Sequence, residues 1–323
     1  MDTQILIQNI TNPTLLFFIL GIIATLVKSD LEIPSNTSKF ISLYLLFSIG
    51  FKGGVELSHS AFTTEIALSL LFGLFISAII PLYSFFILKR KLKVSDAGAV
   101  AAAYGSVSAV TFVAAGSFLE AQQQHFGGHM VAVMALMEAP AIVVGVVLMR
   151  NYDKSNSLKP TSILSTVKHS FTNGSVLMIL GSLVIGIIAD EKQAEGIKPF
   201  TTDIFKGFLA IFLLEMGMVT ANRFAAFKKY GWFVSLFALF APLLNGCIVA
   251  LLSGYITHEA GNRLIFAILA ASASYIAVPA AMRLVAPKAD PGLYIPMALG
   301  VTFPLNISVG LPLYYAVIQH SFL

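Results

Sequence analysis

The chain carries little charge. Of its 323 residues, 57% are apolar and only 11% are charged, whereas a soluble domain carries about 25% charged residues. The mean hydropathy is +0.85. This composition excludes an ordinary soluble globular domain and predicts an all-α integral membrane protein.

Cysteine and catalytic motifs are also scarce. The single cysteine, Cys247, excludes a disulfide within the chain. The sequence contains no Ser/His/Asp set, no glycine-rich phosphate loop and no nucleotide motif. His125 and His129 have the spacing of a metal pair, but Gly127 and Gly128 between them favour a loop. We therefore predict no enzyme activity, no cofactor and no metal beyond a transported alkali cation.

The basic residues do not form a nucleic-acid-binding patch. The net charge of +4 comes from Lys and Arg that lie in loops between apolar runs. That distribution is typical of the positive-inside pattern of membrane proteins, so we expect lipid and no nucleic acid as a partner.

Ten apolar segments are candidate membrane spans, since about 20 helical residues cross a bilayer core of about 30 Å. The first, second and sixth are short. The predicted spans are Pro13–Val27, Ser38–Gly54, Glu65–Leu88, Ala97–Leu119, Met130–Met149, Val176–Ala189, Phe205–Ala221, Trp232–Ile256, Leu264–Val285 and Leu293–Ile318.

Loop charge predicts the orientation. With both termini outside, 15 of the 20 Lys and Arg fall on the inner side, as the positive-inside rule requires. The predicted organisation is a five-span repeat over 1–150, a cytoplasmic linker over 151–170 and a second repeat over 171–323. An odd number of spans per repeat inverts the second repeat relative to the first. The predicted location is a bacterial inner (plasma) membrane.

Two of the spans are interrupted by small hydroxyl residues. A shift of 166 positions between Ala101–Ser117 and Ala270–Arg283 places Ser106 on Ser272 and Ser108 on Ser274. Two interrupted spans at corresponding places in two repeats point to a transporter binding site. Close packing of helices through small residues is the alternative interpretation.

At such a site, half-helix N-termini hold an anion, whereas hydroxyls and freed carbonyls hold a cation. The residues that this assigns to the site are Gly105, Ser106, Ser108, Thr111, Ser272 and Ser274.

Glu138 is an acid inside an apolar span. Such a residue costs about 2.5–3.5 kcal/mol at a helix centre, so we predict that it binds a cation or a proton; an acid near a helix end that reaches water is the alternative. Its counterpart in the second repeat is Thr302, and Asn306 adds a neutral oxygen donor suited to an alkali cation. Glu215 is a second acid in an apolar segment.

The sequence resembles the sodium-dependent bicarbonate transporter family over nearly its whole length. The segments that carry the likeness, in the family's order, are NPTLLFFILGIIATLVKSDLEIP, FSIGFKGGVEL, YGSVSAVTFVAAGSFLEA, MEAPAIVVGVVL, LEMGMVTANR and the run from AASASYIAVPAAMR to VTFPLNISVGLPLY.

The resemblance implies two inverted five-helix repeats divided into a gate part and a core part. Here the gate part is expected over roughly 13–54 and 176–221, and the core part over roughly 65–149 and 232–318. It also implies broken, crossing fourth and ninth spans with bicarbonate and sodium bound near the crossing. A homotrimer and a cytoplasmic regulator of the PII type, which some members have, are further expectations.

One position departs from the family pattern. By resemblance, Gly105, Ser106, Ser108 and Thr111 match the first broken segment, Ser272 and Ser274 match the second, and Glu138 matches an acidic ligand. Members with established bicarbonate transport carry an Asp directly after the second pair of serines, whereas this chain has Tyr275. We place Tyr275 in the substrate site.

The function expected from the sequence is sodium-coupled uptake of bicarbonate or a related small anion by alternating access. A carrier of a different small solute and a transport-inactive sensor or structural homologue remain as alternatives. The linker around Arg150–Ser170 is also shorter than in the family.

Overall fold

The computed structural model describes residues 11–153, 164, 168, 171–227 and 231–321. The structure is 82% helical, and no strand occurs in these ranges. The helices are α1 (Pro13–Leu26), α2 (Ser35–Ser58), α3 (Thr64–Leu88), α4 (Val94–Gly105), α5 (Ala109–Ala121), α6 (His129–Tyr152), α7 (Gly174–Ile188), α8 (Glu191–Lys198), α9 (Phe205–Phe227), α10 (Trp232–Leu252), α11 (Ala260–Ala271), α12 (Ala277–Val285) and α13 (Pro291–Gln319).

Seven helical segments are long and apolar enough to cross a membrane. They contain α2, α3, α4 with α5, α6, α8 with α9, α10 and α13. The shorter apolar helices α1, α7 and α11 occupy the other three predicted spans. These helices support an integral membrane protein. That the chain crosses the membrane ten times remains a prediction.

Four of the predicted spans are interrupted, extended or irregular in the structure. The fourth and ninth predicted spans are each two helices, separated by residues 106–108 and 272–276. The seventh is preceded by the polar helix α8, which begins with a capping box between Asp190 and Gln193. The last, α13, contains π-helical turns at Met297–Thr302 and Asn306–Gly310. Most of the predicted linker, 151–170, lies outside the described residues.

One group of helices packs through glycine. Helix α1 packs along α9, and α2 packs along α7. A Cβ on Gly21 would lie 1.9 Å from the Leu214 carbonyl oxygen, and one on Gly54 would lie 2.1 Å from that of Leu183. Only glycine permits so close an approach of two backbones. We call α1, α2, α7 and α9 the first helix group.

The second helix group consists of α3–α6 and α10–α13. In it α4 packs on α3 and α6, and α11 packs on α10 and α13. The central helices α4 and α11 are buried along nearly their whole length. The first halves of both broken helices, α4 and α11, therefore lie inside this group, packed against α3, α6, α10 and α13.

Candidate functional site

The first break lies between α4 and α5. Ser106 has an extended backbone, with φ −83° and ψ −177°, and ends α4. Ser108 starts α5 because its Oγ accepts a hydrogen bond from the Thr111 N–H at 3.2 Å, the usual chemistry of a serine N-cap. Thr111 itself lies within the first turn of α5, so the break is shorter than the polar stretch that predicted it.

The second break lies between α11 and α12. Ser272 is extended, with φ −82° and ψ 169°, and the Ser274 Oγ accepts a hydrogen bond from the Val278 N–H at 3.4 Å. Pro279 falls in the first turn of α12. Its missing N–H costs nothing there, since first-turn N–H groups have no partner within the helix.

The two breaks bind each other. The Ser108 N–H donates to the Ser272 Oγ at 3.0 Å, and the Ser274 N–H donates to the Ala103 carbonyl at 2.8 Å. These bonds satisfy backbone groups that leave the helical ladder inside an apolar protein. The structure thus brings together three predicted residues, Ser108, Ser272 and Ser274, at one crossing.

A small cavity lies beside this crossing, and we call it the crossing cavity. Its free volume for a water-sized sphere is about 20 Å³, which is room for one water molecule or one small ion. Its polar side chains are those of Ser108, Glu138, Ser175, Ser274 and Tyr275.

Glu138 carries the negative charge at this cavity. It lies on α6 with 8% of its surface exposed, and its Oε2 atom has no hydrogen-bond partner among the described residues. A buried carboxylate without a partner is costly, so this oxygen is suited to bind a cation or a proton.

Positive helix ends border the same cavity. Ala109 and Ala277, the first residues of α5 and α12, both line it. A helix N-terminus carries about half a positive charge and unpaired N–H groups. The cavity therefore places two positive helix ends beside one carboxylate.

Thr302 and Asn306 do not line the crossing cavity. The Thr302 hydroxyl donates to the Ala238 carbonyl at 3.0 Å and lies 2.7 Å from the Tyr104 hydroxyl. Through these bonds Thr302 connects α13 to α10 and α4.

Asn306 bonds to the end of α11. Its Nδ2 donates to the Ala271 carbonyl at 2.8 Å, and its Oδ1 accepts from the Tyr314 hydroxyl at 3.0 Å. Ala271 directly precedes the second break, so Asn306 holds the broken helix in place. A sodium-ligand role for Thr302 and Asn306 stays a prediction.

Gly105, Ser106 and Thr111 also lie outside the lining of the crossing cavity. The Ser106 Oγ is buried without a hydrogen-bond partner among the described residues. Gly105 packs against Pro81 of α3, since a Cβ there would lie 2.3 Å from the Pro81 Cδ. The position of Gly105 is explained by this close contact.

We expect Gly105→Ala to lower thermal stability by about 1–3 kcal/mol, because the rigid proline ring cannot yield and the helices must separate. Gly181→Ala on α7 is the matched control. A Cβ there meets nothing within 4 Å, and alanine favours a helix over glycine by about 0.5–1 kcal/mol. Equal melting temperatures for the two variants in detergent would contradict the Gly105–Pro81 contact.

Sequence reasoning missed Ser175, Tyr104 and Tyr314. Ser175 is at the start of α7, and nothing in its local sequence signals that it reaches the cavity. The two tyrosines are fully buried, and only their hydrogen bonds distinguish them from apolar packing residues.

Glu215 on α9 was the second acid noted in the sequence. Its Oε2 is buried without a hydrogen-bond partner in the described part of the chain, and the next residue, Met216, contacts Tyr275, with the hydroxyl 4.0 Å from its Sδ. Lys206, which is also on α9, forms an ion pair with Glu120 of α5 at 3.0 Å and not with Glu215.

Comparison with known proteins gives a clear family assignment. A comparison with curated proteins found no match. The family model of the Na+-dependent bicarbonate transporter superfamily matches residues 13–319, which is nearly the whole chain. This is a family of transporters and not of enzymes, and it supports sodium as the coupling ion and bicarbonate as the substrate. The chain belongs to the Na+-dependent bicarbonate transporter superfamily.

Proposed function

We propose that the protein is a secondary active transporter that couples sodium entry to the uptake of bicarbonate or a related small anion. The observation that carries the proposal is Glu138, whose Oε2 atom has no hydrogen-bond partner among the described residues and which lines a cavity bordered by two helix N-termini. Glu138 neutralises the sodium ion. The hydroxyls of Ser108 and Ser274 and the N–H groups of the first turns of α5 and α12 hold the anion. Each ion offsets the charge of the other in a site that excludes bulk water.

Transport proceeds by alternating access of the second helix group relative to the first. In this proposal the first helix group is the gate part and the second is the core part. An apolar cluster forms the contact between them, with Phe18, Leu45 and Phe212 on one side and Val113 and Phe303 on the other.

Two inverted repeats explain the packing. The α1–α9 pair has its counterpart in α7–α2, the α3–α4 pair in α10–α11, and the α4–α6 pair in α11–α13. Correspondence between the halves is the expected result if 1–150 and 171–323 are five-span repeats. We carry over from the family resemblance a homotrimer in the bacterial plasma membrane and a PII-type cytoplasmic regulator.

Uptake of labelled bicarbonate into proteoliposomes tests the function. We expect uptake under an inward sodium gradient, and loss of uptake when sodium is equal on both sides or replaced by potassium. Competition by unlabelled small anions identifies the substrate. If sodium drives the uptake of another solute and not of bicarbonate, the protein is a carrier of that solute. If sodium binds without any flux, the protein is a transport-inactive homologue.

Single-cysteine labelling tests the topology. In a Cys247→Ser background, cysteine at Gln123 or Lys192 should react with an impermeant reagent added outside intact cells, and cysteine at Lys91 should react only after lysis. The reason is the concentration of basic residues on the Lys91 side. Protection of Gln123 from the external reagent would contradict the inverted repeats. The positive-inside pattern also places Lys159 and Lys228 on the inner side. Both lie outside the described residues.

A further inference from the structure

A second and larger cavity lies between α2 and α5, and we call it the outer cavity. Its volume is about 230 Å³, compared with about 20 Å³ for the crossing cavity. Its walls include Lys52, Glu56, Phe112, Glu120, His125 and Phe205. It opens at the end of the molecule that holds residues 122–128, which the positive-inside pattern places outside.

The outer cavity leads toward the crossing. Helix α5 runs from Ser108 at the crossing to Ala121 at the outer loop, and Phe112 and Glu120 both line the cavity. Phe112 is four residues from Ser108, about 6 Å along a helix. The cavity therefore ends about one helical turn from the first break.

Lys52 is the only lysine or arginine among the described residues that line this cavity. Its Nζ lies 6.0 Å from the centroid of the Phe205 ring and forms no ion pair with a described residue. Glu120, by contrast, is paired with Lys206 at 3.0 Å.

Glu56 supplies a hydrogen-bond acceptor beside that cation. Glu56 lines the same cavity one helical turn after Lys52 on α2, and its carboxylate lies near both Lys52 and His125. A carboxylate has about four acceptor positions, so Glu56 can accept a hydrogen bond from a ligand in this cavity. The cavity thus presents a cation and a hydrogen-bond acceptor to the same ligand.

We propose that the outer cavity is an entry site selective for a monovalent oxyanion that carries a hydroxyl group. This inference rests on the proposed transport function. Lys52 attracts the anion's oxygens, and Glu56 accepts the hydrogen bond of its hydroxyl. Bicarbonate has both features, whereas nitrate and chloride have no donor for Glu56 and meet its negative charge. Bicarbonate also fits in about 230 Å³, whereas the crossing cavity in this state has room for one water.

Initial rates of bicarbonate uptake test the role of Lys52. Lys52→Gln should raise KM about five- to tenfold with kcat within twofold, because losing a charge-assisted bond at an entry site weakens capture. Lys52→Arg should retain a KM near that of the wild type. The matched control is Lys192→Gln, an exposed lysine on α8 that does not line the cavity, and it should leave both constants unchanged.

Nitrate competition tests the role of Glu56. Excess nitrate should inhibit wild-type uptake weakly, and Glu56→Gln should strengthen that inhibition at least about fivefold, because glutamine removes the negative charge and can donate to nitrate.

Two outcomes overturn the inference while wild-type transport stands: an unchanged KM in Lys52→Gln, or a change in sodium half-saturation in Glu56→Gln with nitrate inhibition unchanged. The second would make the outer cavity a cation path. A wild type that takes up no bicarbonate contradicts the proposed function itself, so the two failures are distinguishable.

Discussion

Glu138→Gln is expected to abolish the sodium dependence of transport. Glutamine keeps the shape and one carbonyl oxygen but removes the only carboxylate among the residues lining the crossing cavity. Saturating a site at a hundredfold its dissociation constant stabilises a protein by about 2.7 kcal/mol. That sodium-dependent stabilisation should disappear, and sodium-driven uptake should fall by more than about tenfold.

Stability without sodium separates this effect from misfolding. Because Glu138 buries an oxygen without a hydrogen-bond partner in the described chain, its neutral replacement should melt at the same or a higher temperature in sodium-free buffer. Glu195→Gln is the control, since that carboxylate is 72% exposed and pairs with Lys198 on α8. An unchanged sodium response in Glu138→Gln would show that this acid is not a sodium ligand.

The general fold follows well from the sequence. Apolar segments separated by basic loops predicted a helical membrane protein, and the recurrence of small hydroxyl residues predicted breaks in two particular helices. The breaks occur at 106–108 and 272–276, because serines cap the helices that follow. Helix α8 was missed because its polar sequence resembles a loop.

The residues of the candidate site followed less completely from the sequence, for a physical reason. Sequence spacing identifies residues near a break, but tertiary packing decides which of them face a cavity. Ser108, Ser274, Tyr275 and Glu138 do so, whereas Asn306 instead holds the Ala271 carbonyl. The outer cavity was missed because its walls come from α2, α5 and the start of α9, which no local pattern connects.

We expect Tyr275 to limit how many cations the crossing can bind. Its side chain lines the crossing cavity, and its hydroxyl interacts with Ser108 and lies 4.0 Å from the Met216 Sδ. A phenol with an ordinary pKa of about 10 supplies no negative charge. Glu138 is then the one acid among the described residues that line this cavity, and we expect a single carboxylate-bound sodium ion.

Tyr275→Asp should create a second cation site. Without sodium, the new buried carboxylate has no counter-ion, so the variant should be less stable than Tyr275→Asn, its neutral isostere, by about 1–3 kcal/mol. At saturating sodium the difference should vanish or reverse, because a bound ion offsets the buried charge. The measurement is the melting temperature of both purified variants over a sodium titration, with potassium as the ionic-strength control.

The comparison of aspartate with asparagine isolates charge from size. Both substitutions remove the phenol ring and leave the same space, so any loss of packing is common to them. Crossing stability curves would show that position 275 can hold a cation-binding acid and that tyrosine has removed it. Parallel curves would contradict this account, and the sodium ligands would then have to come from Glu138 together with backbone carbonyls at the breaks.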